Sequence, residues 1–310
     1  MRRIASLFIA LVALSLPVGV AQTTSTSSRP ASSPADKRVL IISVDGLRPD
    51  LALRADMPTV RDLMKHGAFT FWARTTAVSI TLPSHVSMLT GVVPVRHGIS
   101  WNGEMPFKEP VYPASPTLFE QAKKAGFTTA MAAGKAKFST LAKPNTLDWC
   151  FTESASDQVV ADKAVAMIHA NKPQVLFVHL PGVDGAGHGS GWGSPQQIKA
   201  AENADAQIHR VLEALDQEHL RDATLVIVTA DHGGAGYTHG ADDVRSRHTP
   251  WIASGPGVRE NFDLTLLPKL TVNIEDTFAT ACWYLGIPVA DDLDGRPVSE
   301  ILQPAPAAAK

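Results

Sequence analysis

The sequence predicts an α/β fold built on a mostly parallel central sheet with helices on both faces. Three runs, Arg38 to Val44, Gln174 to Leu180 and Ala223 to Thr229, are continuously apolar and rich in branched residues, as strands buried on both faces must be. Segments with helical character separate them, and no internal repeat or Pro/Gly-rich seam divides the chain. Strand and helix alternate throughout, the pattern that produces parallel strands joined by crossover helices.

In chain order, Arg38 to Val44 opens the sheet, and a helix from Pro58 to His66 follows, ended by Gly67. A third element runs from Thr81 to Leu89 and stops at Gly91. Ser115 to Ala125 reads as a helix with a Ser cap and a Gly126 stop, and Phe127 to Ala132 as the next strand. Ser154 to Asn171 is helical, Gln174 to Leu180 a strand, Pro195 to Gln217 a long helix and Ala223 to Thr229 a strand. Pro250 to Ser254 is a short strand and Ile274 to Leu285 the closing helix.

The ends of the chain read differently. Arg2 and Arg3 precede an apolar stretch from Ile4 to Leu16, then Pro17 and the small residues Gly19-Val20-Ala21. This is the layout of a signal peptide cut after Ala21, which implies a periplasmic or secreted protein. The apolar stretch falls short of the roughly 20 residues of a bilayer span, so no stable membrane span is expected. Residues 22–36 are Ser/Thr/Pro-rich and read as a disordered linker, and 303–310 as a flexible tail, leaving 37–302 as one catalytic domain. Lys plus Arg number 28 against 30 Asp plus Glu, a net charge of −2, and no long basic run offers a nucleic-acid surface. Only Cys150 and Cys282 occur, which excludes a zinc ribbon and leaves their pairing open.

The chemistry lies at the strand ends, where α/β sheets place their ligand crevice. Asp45 follows Val44, Asp184 follows Leu180 within four residues, and Asp231 with His232 follows Thr229-Ala230. One such aspartate is an ordinary turn or cap residue. Three in one crevice repel each other and lose hydration, an arrangement that calls for cations between them. In Asp-Gly-Ala-Gly-His, Asp184 and His188 stand four apart in what reads as a Gly-rich loop able to wrap an ion, and His239 follows after GGAGYT. Mixed carboxylate and imidazole donors suit zinc, with manganese or iron as alternatives. Thr81, in Ser-Ile-Thr-Leu-Pro-Ser-His, lies at a helix N-terminus, where backbone N–H groups favour an anion; it is a candidate nucleophile or simply the N-cap.

Taken together, VDGLRPD, TLPSH, HGISWN, DGAGH, TADHGG and PWIASGPGV resemble the alkaline phosphatase superfamily, especially its type I phosphodiesterase/nucleotide pyrophosphatase branch. The resemblance runs from about Val39 to Leu302 and implies an alkaline-phosphatase-like sandwich. It implies two divalent ions, one held by Asp184, His188 and His239, the other by Asp45, Asp231 and His232 with the Thr81 oxygen. Thr81 becomes the nucleophile of a phosphothreonine intermediate, and Asn102 a donor to a phosphoryl oxygen of a small phosphate-ester substrate. Two departures stand out. His232 and His239 are only seven apart, without the long insertion the branch usually carries between such residues, and this makes His248 a rival for the last ligand position. Lys135 and Lys137, at the end of the strand over 127–132, resemble the lysine-containing pair of the superfamily's monoesterases and phosphonoacetate hydrolases; the plain alternative is a solvated basic turn. A dianionic monoester gains more from such cations than a monoanionic diester does. The expected activity is therefore hydrolysis of phosphomonoesters, with phosphodiester hydrolysis as the alternative and a non-catalytic metal- or anion-binding role as the alternative from another class. A sulfatase is disfavoured, because Thr81 and Pro83-Ser84-His85 stand where that branch has Cys or Ser and Pro-x-Arg. A phosphoglycerate mutase is disfavoured by export, and a phosphoethanolamine transferase by the missing spans.

Overall fold

Alternate residues of the buried strands face opposite sides of one sheet, so each strand feeds two apolar cores at once. The computed structural model describes residues 36–103, 109 and 111–302; the segments expected to be signal peptide and tail, and the expected linker but for Asp36, lie outside the described residues. The described residues lie in one compact unit. Its elements are β1 (Arg38–Val44), α1 (Pro49–Arg54), α2 (Pro58–Lys65), β2 (Gly67–Arg74), α3 (Thr81–Thr90), α4 (Pro94–His97), α5 (Leu118–Lys124), β3 (Thr129–Ala133) and β4 (Trp149–Thr152). There follow α6 (Asp157–Asn171), β5 (Val175–Leu180), α7 (Gly182–Ser190), α8 (Pro195–Gln217), β6 (Thr224–Thr229), α9 (Val244–Arg247), β7 (His248–Ser254), β8 (Phe262–Asp263) and α10 (Asp276–Leu285).

The strands form an eight-stranded sheet in the order β4-β3-β5-β1-β6-β7-β2-β8. Pairing is parallel from β4 through β6, and β7 runs antiparallel to both of its neighbours. β1 is central: Val39 lies opposite Val175 of β5 on one side and Leu225 of β6 on the other. Val39 and Ile41 join one core with α3, α5 and α10, while Leu40, Ile42 and Val44 join the other with α1, α2, α6 and α8. This is the mostly parallel sheet with two helical layers that the sequence predicts, and it brings the carboxyl ends of β1, β5 and β6 side by side.

Several local expectations change. β2 occupies the segment after Gly67, where the sequence suggested only a helix stop, and it pairs with β7. The fifth helix starts three residues later than expected, because a reciprocal capping box between Thr117 and Glu120 fixes its first turn. The more consequential correction concerns Asp184 and His188, which sit on helix α7 and not in a loop. Its glycines disfavour a helix on propensity alone. Close packing overrides them: a Cβ on Gly187 would lie 2.8 Å from both the Gln197 amide nitrogen and the Trp192 ring. Cys150 on β4 is exposed, Cys282 in α10 is buried, and both are free thiols.

Candidate active site

The chain turns sharply after each of the three central strands, and these turns place the carboxylates. Gly46, at φ +74°, turns the backbone away just after Asp45; a Cβ there would lie 3.0 Å from the Asp184 Cα, so the β1 and β5 turns touch. The Gly46 N–H donates to Asp231 Oδ1 at 3.1 Å, which joins the β6 turn to the same point. Asp45, Asp184, Asp231 and His232 are all buried.

Each carboxylate has one oxygen committed to the protein and another buried without a partner. Asp45 Oδ2 accepts from His179 Nε2 at 2.9 Å and from Lys135 Nζ at 2.5 Å. Asp184 Oδ2 accepts from Lys135 Nζ at 2.7 Å. The unpartnered atoms are Asp45 Oδ1, Asp184 Oδ1 and Asp231 Oδ2. Those oxygens face the bare nitrogens of three histidines. His232 Nε2 lies 3.4 Å from Asp45 Oδ1 and 3.2 Å from Asp231 Oδ2. Asp184 Oδ1 lies 3.4 Å from His188 Nε2 and 3.6 Å from His239 Nε2.

The tautomers follow from the other ring nitrogens. His188 Nδ1 faces the Tyr237 carbonyl at 2.9 Å, His232 Nδ1 that of Gly233 at 2.8 Å, and His239 Nδ1 that of Ser79 at 3.1 Å. A carbonyl only accepts, so each Nδ1 carries the proton and each Nε2 presents a lone pair. Burial pushes His232 down to about 4 and lowers His239 as well, which keeps these rings neutral. Burial opposes ionisation of Asp45, but Lys135 and then His179 hold its carboxyl well below the usual range. Burial and then the charge of Asp45 push Asp231 in the other direction. Neutral imidazoles with aimed lone pairs, beside carboxylate oxygens with no partner, are a donor set fitted to divalent cations. Among the described residues, two groups have ligand atoms close enough for an ion: Asp45, Asp231 and His232, and Asp184, His232 and His239. His188 faces Asp184 from the more exposed side of the second group, with its side chain 45% exposed. His248 joins neither group; its ring packs on Trp72 at 4.8 Å.

Thr81 is the first residue of α3, whose N-cap is Ile80, so its hydroxyl is not engaged in capping the helix. That hydroxyl donates to His232 Nε2 at 3.2 Å. Asn102 comes alongside: its Oδ1 accepts from the Leu82 N–H at 2.9 Å and from Lys137 Nζ at 3.3 Å. Both partners are donors, which assigns the amide oxygen to that side and leaves the Asn102 NH₂ as the remaining donor pair. The two predicted lysines therefore part company, Lys135 on the carboxylates and Lys137 on Asn102.

Three contributors escaped the sequence reading. His85, buried, donates from Nδ1 to the Thr81 carbonyl at 2.8 Å and accepts at Nε2 from Ser43 at 2.7 Å, joining α3 to β1. Its signal was its place four residues after Thr81, one helical turn on. His179, which holds Asp45, was the one imidazole in an otherwise apolar strand. Trp192 donates to the Gly46 carbonyl at 3.1 Å and meets the rings of His188 and His239 edge-on.

The model of the type I phosphodiesterase/nucleotide pyrophosphatase family matches residues 39–245, about two thirds of the chain and all three carboxylate turns. The chain belongs to that family. Among its relatives, an uncharacterized pyrophosphatase/phosphodiesterase of Schizosaccharomyces pombe is 25% identical over 217 residues, 64% of this chain and 44% of that protein. The catalytic subunit of human GPI ethanolamine phosphate transferase 2 is 26% identical over 296 residues, 87% of this chain and 29% of that one. The chain thus spans less than half the length of these curated relatives. A structure of murine ectonucleotide pyrophosphatase/phosphodiesterase 5, an inactive form in complex with AMP, has the same fold. It superimposes with a TM-score of 0.74 at 16% identity, covering 86% of this chain and all of that one. Among the described residues no helix is long and apolar enough to cross a membrane.

Proposed function

We propose that the chain is a two-metal hydrolase of phosphoric esters, preferring phosphomonoesters and acting through a phosphothreonine at Thr81. The observation that carries this reading is the convergence of three unpartnered carboxylate oxygens and three imidazole Nε2 atoms beside the Thr81 hydroxyl. Asp184, His188 and His239 would hold one ion, and Asp45, Asp231, His232 and Thr81 the other. The nitrogen-and-oxygen donor set favours Zn²⁺, with Mn²⁺ as the alternative. When bound, such a pair stabilises the attacking and leaving oxygens of an in-line displacement.

The Thr81 oxygen attacks phosphorus as its hydroxyl proton passes to solvent, the bond to the ester oxygen breaks, and the alcohol leaves with a proton from solvent. Water then hydrolyses the phosphothreonine, releasing phosphate and restoring the hydroxyl. Thr81 stands at the N-terminus of α3, whose dipole favours an anion, and the Asn102 NH₂ is a donor beside it, as developing negative charge requires. Lys135 and Lys137 add two positive charges to a site with three aspartates. That extra charge supports a dianionic substrate over a monoanionic one. The name of the pyrophosphatase/phosphodiesterase relative supports the diester and pyrophosphate reading instead, and another relative is named as an ethanolamine phosphate transferase. The basic and apolar N-terminal pattern ending at Ala21 supports export to the periplasm or the medium.

Turnover of an aryl phosphate monoester compared with the matching diester, on protein assayed for bound metal, tests this. About two zinc or manganese ions per chain and faster monoester turnover are expected. Absence of tightly bound metal would overturn the two-metal reading, and faster diester turnover would overturn the monoester preference alone.

A further inference from the structure

Asp45 Oδ2 and Asp184 Oδ2, the oxygens that do not face His188, His232 or His239, share Lys135 as a partner, and Asp45 Oδ2 accepts from His179 as well. Lys135 Nζ contacts Asp45 Oδ2 at 2.5 Å and Asp184 Oδ2 at 2.7 Å. These carboxylates belong to different donor groups, Asp45 with His232 and Asp184 with His239. The ammonium therefore bridges the two groups through the Oδ2 atoms and leaves the unpartnered Oδ1 atoms to the candidate ligand histidines.

The backbone that carries Lys135 is firmly seated. Gly134 follows β3 and lies so close to Pro181 that a Cβ there would come within 2.7 Å of the proline ring. After Lys135 the chain turns through Ala136–Leu141, and Phe138 packs on His85 at 4.8 Å and on His179 at 4.3 Å. The Lys135 side chain is 17% exposed. A carboxylate rotates easily about its terminal bond, so an oxygen stays aimed only when its twin is held. Partners of this kind behind metal ligands typically change metal affinity 10- to 100-fold when removed.

We propose that Lys135 is a positioning residue that clamps Asp45 and Asp184 together and sets the spacing and facing of the two ion positions. This rests on the two-metal reading above. It assigns Lys135 a role on the ligands themselves, whereas Lys137, at Asn102, is the lysine on the substrate side.

The test uses the full chain loaded with Mn²⁺ in phosphate-free buffer, with electron paramagnetic resonance reporting spin coupling between neighbouring ions. Lys135→Met keeps length and loses the charge. Lys135→Gln reaches one carboxylate but not two, and serves if the Met variant does not fold. Lys135→Arg keeps a fork that can hold both. Wild type and Lys135→Arg are expected to show the coupled two-ion signal, and Lys135→Met and Lys135→Gln to lose or change it. An unchanged signal in the Met and Gln variants overturns the clamp, since a lysine that acts only on substrate leaves phosphate-free protein unaffected. A wild-type chain that takes up no ion pair is a separate result and refutes the two-metal reading itself.

Discussion

Asn102 gives the sharpest test of the anion side of the site, because its two ends have separate tasks. Its oxygen ties down the Leu82 N–H and Lys137, and the proposed reaction uses its NH₂ as donor to a phosphoryl oxygen. Asn102→Asp keeps the acceptor and removes the donor. Thermal stability should stay near wild type, because Leu82 N–H and Lys137 keep their partner. Loss of one preorganised donor to a developing anion costs about 10² to 10³ in kcat, roughly 2.7–4 kcal/mol. The added negative charge puts Asp at or beyond the upper end of that range. Asn102→Ala removes both ends, so it should lose the same donor and also leave the Leu82 N–H unpaired. That second loss costs about 1–3 kcal/mol, read as a fall of several degrees in Tm. Steady-state turnover of an aryl phosphate, run beside thermal melts of the same preparations, separates the two effects. Activity of Asn102→Asp within tenfold of wild type would show that the amide does not touch the reacting phosphoryl group.

Two further predictions rest on other parts of the molecule. Thr81→Ala should give a folded protein that forms no covalent phosphoenzyme on acid quench, because the hydroxyl makes its contact with His232 and does not cap its helix; a labelled phosphoenzyme in that variant assigns the nucleophile elsewhere. Glu275 is buried, and desolvation pushes its carboxyl from 4.5 up to about 7. The native state therefore holds this proton more tightly than the unfolded state, and stability falls as pH rises between those values and levels off above them. At about 1.4 kcal/mol per pH unit, the gain from Glu275→Gln should grow across that window to roughly 3 kcal/mol. A gain in unfolding free energy that stays constant between pH 5 and pH 8 contradicts it.

The parts of the site that could be read from the sequence are those tied to strand ends. Asp45, Asp231 and His232 follow unbroken branched runs, and such runs announce both their strand and the place where it stops. Strand order was hidden, because a run that is apolar at every position carries no phase to say which neighbour it takes. Side-chain reach was hidden too. Lys135 stood out as a residue, but its partners are 90 and 49 positions away. His85 and His179 were passed over because an isolated histidine most often sits in a core without chemistry. Here that core is the underside of the site. Asp184 and His188 were read as loop because glycine density outweighs helix signals in a local reading, and the packing of α7 on Trp192 is a tertiary effect.

The central place of β1 also bears on how the protein matures. The first strand of the sheet pairs only with strands that begin at Val175 and Thr224, and the last candidate ligand is His239. A chain emerging from synthesis therefore holds Asp45 for almost two hundred residues before the turns that complete its surroundings exist. Among the described residues neither candidate donor group lies within one stretch of sequence, so the two proposed ion positions are complete only once the sheet has closed.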